Sequence, residues 1–398
     1  MAIEKIIDQI KTISIEELKK HESQLLNNLK NEDIPEKNLN RLLSRIYTVF
    51  KITKNPKTRE SFIRSYFRIF QQGIHKDGRN GSITIEITKK CNKNCKHCYS
   101  YSRGQKISMK NEMLNLIVNF ARKKYKHIFL TGGEPTLDNR VFTLAKNYPD
   151  MMFFMFTNSS LITDEYAKKL SNFGNLVPLL SIDGSNEQIL DCFKGKNSYK
   201  KIMKAIEHLN KNNVSWGFIS MVTEKNAKDV LNPKFIRKMK RKGAFIARFL
   251  EYIPAGPKAR KDLILSGETY YLLEKRKKEI IESGEIYIQD TSQKKCTGLL
   301  SFDVFGNIKN CVFFHYSKYN VNDGNIDKLT KDTIKDWVSC NCEGECPIYS
   351  NPISFKNYLE ECGWKHVLAC KEEYLNNLEV ANQMKDNYRR FLEIKNNA

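Results

Sequence analysis

Between residues 82 and 254 the chain repeats one rhythm, a short apolar run ending in polar residues followed by a stretch with apolar side chains at three- and four-residue steps. The runs fall at 82–88, 127–131, 152–158, 176–183, 216–224 and 245–254, and helical periodicities at about 107–125, 137–148, 163–173 and 198–212 lie between them. Strands separated by helices do not pair as hairpins; they lie parallel, with the helices as crossovers. Six such strands predict an α/β fold, a partial (β/α)6 barrel of TIM type. Ligands in parallel sheets bind at the carboxyl ends of the strands. The residues that end the runs are therefore the first place to look for chemistry.

Behind the first run come Cys91, Cys95 and Cys98, separated by three and then two residues. That spacing suits three thiolates closing on one iron–sulfur cube. Such a cube is ordinarily held by four thiolates, so three leave one iron open, and open positions are where metals do chemistry. Zinc would want a fourth ligand, and His97 is too cramped between Cys95 and Cys98 to join the same tetrahedron easily. Disulfides are disfavoured because the chain opens without a charged-then-apolar signal segment and carries 11 cysteines, an odd number. The expected compartment is reducing and cytoplasmic.

The C-x3-C-x2-C-aromatic pattern ending at Tyr99, followed by Thr131-Gly132-Gly133-Glu134-Pro135, resembles the radical S-adenosylmethionine (radical SAM) superfamily over residues 82–255. The resemblance implies a [4Fe-4S] cluster on Cys91, Cys95 and Cys98, with S-adenosylmethionine chelating the open iron. Reductive cleavage would then give a 5′-deoxyadenosyl radical that takes hydrogen from a substrate. By the same resemblance Tyr99, Gly132, Gly133, Glu134 and Pro135 would contact the cofactor, the glycines letting backbone approach the methionyl ammonium. Asn158, Ser181 and Asp183 fall where the family places polar groups near the ribose and amino acid parts, and Ile253 near adenine. Trp216 to Glu224 resembles the family's G-x-I-x-G-x-x-E segment on the adenine side, but Met221 stands where the second glycine would be, which would narrow the approach of backbone to adenine or mark a relative whose cofactor packing differs. Arg248, Glu251 and Tyr252 could face substrate, with Glu251 and Tyr252 the candidate catalytic residues, although a buried Arg–Glu pair would explain the first two equally well.

Seven cysteines follow residue 290. Cys296 and Cys311, with Gly306 between them, look like the opening of the SPASM and twitch auxiliary-cluster regions, and a hairpin turning at Gly306-Asn307 would present the second thiol beside the first. The later members, Cys340, Cys342, Cys346, Cys362 and Cys370, depart from the SPASM spacing. They are compatible with two auxiliary [4Fe-4S] clusters, one with a ligand such as His315, or with a single cluster and spare thiols. Cys192, in the barrel region, reads as a buried apolar filler.

Residues 1–80 show helical periodicity throughout, as an extension of about four helices whose aromatic stripe at Phe62, Tyr66, Phe67 and Phe70 packs against the barrel. Ser14 with Glu17 three residues on is a capping box. The chain divides as 1–80 helical extension, 81–267 barrel, and 268–398 linker helix, small C-terminal Fe–S cluster domain and terminal helix. The formal charge is +22, from 67 Lys and Arg against 45 Asp and Glu, and most of the excess falls between residues 81 and 289. It favours an anionic partner. No apolar run is long enough to span a membrane, and no RNA-binding motif is present. The expected substrate is a peptide or protein, with a small anionic metabolite, cofactor or lipid precursor as the alternative and a non-catalytic electron-relay protein as the rival outside enzymology. The expected reductant is a low-potential carrier such as flavodoxin or ferredoxin.

Overall fold

A computed structural model describes the chain apart from residues 1, 31–35, 73–80, 96, 101, 103, 257–259, 289–299, 340–345 and 368–376. Strands β1 (Ser82–Thr88), β2 (His127–Gly132), β3 (Met152–Thr157), β4 (Leu176–Ser181), β5 (Trp216–Val222) and β6 (Ala244–Glu251) lie parallel in chain order. Each strand is divided by the pleat. In β1, Ile83, Ile85 and Ile87 pack under the helices, which leaves Thr84, Glu86 and Thr88 for the lumen. In β3, Phe153 and Met155 face the helices, whereas Met152 and Phe154 join Phe129, Val177, Leu179, Ile219, Phe245 and Ile246 in a lumenal core.

This is the partial (β/α)6 barrel expected. The sixth strand does not close the sheet. The short strand β7 (Tyr287–Ile288) adds in parallel outside β6, and β8 (Ser301–Phe302) adds in parallel outside β1. Strand β9 (Asn307–Lys309) turns back antiparallel to β8 through Asp303, whose carboxylate accepts the N–H groups of Phe305 (2.9 Å) and Asn307 (3.0 Å), while Gly306 takes φ +85°. The expected hairpin before Cys311 is therefore present. Strands β10 (Tyr316–Ser317) and β12 (Lys365–His366) form a separate pair, and β11 (Tyr319–Asn320) completes the edge beyond β9.

Among the described residues the amino-terminal extension has five helices rather than about four: α1 (Ala2–Ile10), α2 (Ile15–Lys20), α3 (Glu22–Lys30), α4 (Glu36–Ile52) and α5 (Pro56–Gln71). Ser14 and Glu17 form the capping box. The extra break falls at His21, and Leu18 and Leu25 on either side are both buried at a seven-residue step, so the apolar period runs through the break. Helix α5 has two apolar faces. Ile63, Phe67 and Phe70 pack within the helical bundle, while Phe62 meets Phe154 and Phe245 with ring centroids 6.3 Å away in each case and stoppers the amino-terminal end of the barrel.

Arg68 fastens this stopper. Its buried guanidinium donates to the carbonyls of Asp150 (3.0 Å), Tyr125 (3.0 Å), Lys126 (3.1 Å) and Arg122, the loops that lead into β2 and β3. Arg68→Met strands these buried carbonyls without the charge-assisted donor, and an expected loss of about 3–5 kcal/mol should appear as a lower urea midpoint. His127 starts β2 with its ring against Phe129 (5.8 Å) and Phe154 (5.4 Å), and burial drives its pKa down from the ordinary 6.5 to about 3. The folded state then resists a proton that the unfolded chain accepts, so the stability His127 contributes is whole above pH 6.5 and declines on acidification. Between pH 7 and pH 5 this amounts to about 2 kcal/mol. The decline should shrink in His127→Phe when both proteins are unfolded in urea at the two pH values.

Candidate functional site

The cysteine loop leaves β1 and returns over the carboxyl ends of the strands, and backbone contacts fix it there. Gly133 N–H donates to the Thr88 carbonyl (2.7 Å) and Glu134 N–H to the Lys90 carbonyl (2.7 Å). Gly132 sits at φ +134°, and a Cβ on it would land on the Thr88 carbonyl oxygen; one on Gly133 would land on that of Lys90. The close approach these glycines permit is thus to the chain's own cysteine loop. Beneath the loop, the buried Lys89 ammonium bonds to Glu86 (2.7 Å) and the Ser100 carbonyl (2.9 Å), which joins both ends of the loop.

Glu134 is spent within the fold. One carboxylate oxygen accepts from Thr136 N–H (3.1 Å), Thr136 Oγ1 (2.7 Å) and Thr157 Oγ1 (2.7 Å), the other from Asn158 N–H (2.7 Å), so it ties β2 to the end of β3. Asn158 in turn donates through Nδ2 to Asn92 in the cysteine loop (2.9 Å). Burial raises the Glu134 pKa against the pull of these donors.

One cavity of about 540 Å³ opens at this end of the barrel. Its walls include Cys91, Cys95, Cys98, Tyr99, Gly132, Gly133, Glu134, Asn158, Ser181, Asp183, Met221, Arg248, Glu251 and Ile253, all singled out from the sequence. The same cavity is lined by Cys311 and Cys346 from the carboxyl-terminal part, and both thiols lie beside Tyr349. Pro135 and Tyr252 do not line it. Pro135 begins a short 3-10 turn, and the Tyr252 hydroxyl accepts the Arg260 N–H (3.0 Å) with its ring in the core. The reason for Tyr252 is the pleat, which turns it to the opposite side from Glu251. Cys362 is half-buried against the core and also off the cavity wall, while Cys296, Cys340, Cys342 and Cys370 lie outside the described residues. Cys192 is exposed rather than a buried filler. His315 is buried with Nε2 2.9 Å from the Tyr99 carbonyl; a carbonyl only accepts, so this nitrogen carries the proton and pins the carboxyl-terminal part to the residue after Cys98.

Two contributors carried no sequence signal strong enough to find them. Lys194 ends the helix Glu187–Lys194 and places a buried ammonium 2.8 Å from Asp183, whose other oxygen accepts the Met221 N–H (2.8 Å). The second is the roof. The carboxyl-terminal helix Leu378–Asn396 packs along the helix Gly267–Ser283 and puts Tyr388, Phe391 and Lys395 into the cavity wall beside Tyr270 and Tyr349. The steps of three and four between those residues are a helical stripe, a signal legible in retrospect.

The three thiols fit a metal cluster by their chemistry. They are free cysteines, they line one cavity, and burial pushes the Cys91 thiol up to about 11, a penalty that coordination to a cation offsets by holding the thiolate. Among the described residues no three His, Cys, Asp or Glu side chains converge closely enough for a single ion. A cube that spreads its irons accepts wider thiolate spacing than a lone ion does.

The fold and this loop define a class, the partial (β/α)6 barrels with a cysteine triad after the first strand. Residues 85–232 match the model of the Radical SAM superfamily. That family uses a [4Fe-4S] cluster and S-adenosylmethionine. The mycofactocin maturase MftC of Mycolicibacterium smegmatis is 28% identical over 156 residues, 38% of this chain and 39% of that protein. The GTP 3′,8-cyclase of Clostridium perfringens is 24% identical over 204 residues, 49% of this chain and 62% of that protein. The chain therefore spans less than two thirds of either relative. In fold, it resembles Streptococcus suis SuiB, solved bound to its precursor peptide SuiA, with a TM-score of 0.56 at 14% identity over 75% of this chain and 78% of that one.

Gly133→Ala drives a methyl group into the Lys90 carbonyl and should displace the cysteine loop. After anaerobic reconstitution, iron bound per chain is expected to fall at least about fourfold, whereas the far-ultraviolet circular dichroism spectrum stays that of the parent.

Proposed function

We propose that the chain is a radical SAM enzyme that modifies a peptide or protein substrate. The observation that carries this reading is the single cavity in which Cys91, Cys95 and Cys98 meet Gly132–Glu134, Asn158, Ser181 and Asp183 on one wall and Cys311 and Cys346 on another. When bound, a [4Fe-4S] cluster with S-adenosylmethionine at its open iron supplies the reductive cleavage that yields the 5′-deoxyadenosyl radical. The chain's own residues do the rest. Cys91, Cys95 and Cys98 would hold three irons, the Glu134 and Asn158 bonds keep the loop rigid, and the apolar side chains Phe156, Ile219, Leu250 and Ile253 exclude water from the lumen. Glu251 stands on the wall at the end of β6, where it could take the proton released if substrate is oxidised. Cys311 and Cys346, with cysteines outside the described residues, would ligate an auxiliary cluster open to the same space.

The peptide reading draws on the likeness in sequence to a maturase and in fold to a precursor-peptide enzyme. The similarity to a GTP 3′,8-cyclase and the basic charge favour a small anionic substrate as the second reading.

The test is anaerobic reconstitution with iron and sulfide, reduction with dithionite in the presence of S-adenosylmethionine, and mass spectrometry of the nucleoside product. The intact protein should release 5′-deoxyadenosine, and the Cys91→Ala/Cys95→Ala/Cys98→Ala variant should lower the yield by about 10²-fold or more. A cluster-loaded protein that binds S-adenosylmethionine yet yields no deoxyadenosine with peptide pools or nucleotides would favour the electron-relay reading.

A further inference from the structure

We propose that the basic surface beside the cysteine loop is the docking site of an acidic one-electron carrier protein. The proposal rests on the radical SAM reading, which requires an electron brought from outside the chain. An electron donor must come close to the thiols, and the loop reaches solvent through Lys90, Asn92 and Asn94, all exposed, with the three cysteines themselves partly exposed. On one flank the Lys93 ammonium bonds to Ser198 Oγ and reaches the Lys194 carbonyl (3.4 Å), so the loop abuts the start of the helix Ser198–Lys211. That corner is lysine-rich on its outer side. Lys196 precedes the helix, and Lys200, Lys201 and Lys204 are exposed on one of its faces, at helical steps of three and four.

The acids nearby leave this charge in excess. Against the four lysines stand Glu187, 3.3 Å from Lys200 between exposed side chains, and Asp191, which accepts the Tyr199 N–H (2.8 Å) and keeps its charge, so two cations remain in excess. The next acid on the same helix face is Glu207, beyond Lys204 and further from the loop. A lysine stripe on a helix is commonly only a solvated face. Here its place decides otherwise, because it borders the part of the surface through which the cysteine triad is reached. A positive field at that point steers an acidic partner into position and raises its rate of encounter.

The triple variant Lys196→Glu/Lys200→Glu/Lys201→Glu tests this, since none of the three touches the cavity. Deoxyadenosine formation is measured twice, with an acidic flavodoxin and its NADPH-dependent reductase as the electron source and with dithionite. In the variant the KM for flavodoxin should rise about tenfold or more, with kcat and the dithionite-driven rate within about twofold of the parent. The parent's flavodoxin KM should climb steeply with added salt and the variant's only weakly. A reversal elsewhere on the surface, Lys123→Glu/Lys275→Glu/Lys278→Glu, should leave the flavodoxin KM unchanged. An equal flavodoxin KM in parent and variant overturns the proposal, as does an equal rise in both triple variants. Absence of dithionite-driven product in the loaded parent overturns the radical SAM reading instead, and the docking site with it.

Discussion

Everything at the carboxyl end of the barrel depends on two peptide units lying closer than side chains would allow. Gly132 and Gly133 bring the end of β2 against Thr88 and Lys90, and the two hydrogen bonds formed there set where the cysteine loop begins. From that contact the rest follows in sequence. Glu134, next in the chain, is placed to gather the donors at the end of β3, and Asn158 then reaches back to Asn92 in the loop. The loop is held at its root, at its flank and from below by the Lys89–Glu86 pair. Rigidity of this kind is what a metal-binding loop needs, because three thiolates must reach fixed positions together.

Much of the barrel was legible in the sequence because parallel strands buried on both faces read as continuous apolar runs. All six strands stand where the runs predict them, within a few residues. The polar interruptions carried more than the runs did: Thr84 and Glu86 alternate with isoleucines, and in a strand with helices on one side such polar positions belong to a lumen rather than to solvent. What escaped was tertiary. Closure of the sheet depends on how far twist carries β6 round, and no local pattern encodes it. The Lys194–Asp183 pair joins residues on successive elements, and the cavity-lining part of the terminal helix faces its target only after Gly267, with no side chain of its own, lets Arg390 and Phe391 settle over it. For Glu134 the residue was identified but its partners were not, since its donors come from the fold.

The barrel also divides its lumen by chemistry. The amino-terminal end is filled by aromatic and aliphatic side chains and stoppered by Phe62, while the carboxyl-terminal end keeps an open space lined by thiols, carboxylates and amides. The described residues of the helical extension thus support the site from the far end without touching it. The carboxyl-terminal part does touch it, through Cys311, Cys346 and the aromatic roof, and shares one continuous hydrophobic core with the barrel.

Strand β8 has a consequence for how the molecule is made. It pairs Ser301 and Phe302 with Thr84 and Ile85, so one edge of the sheet receives its neighbour only from a segment more than two hundred residues later. During synthesis at roughly 5–20 residues per second, that edge of β1 waits about 10–40 s with its backbone groups unpaired. An unpaired parallel edge is an invitation to other nascent chains. The order of translation therefore leaves the strand that leads into the cysteine loop open to misassembly until the carboxyl-terminal part has been made.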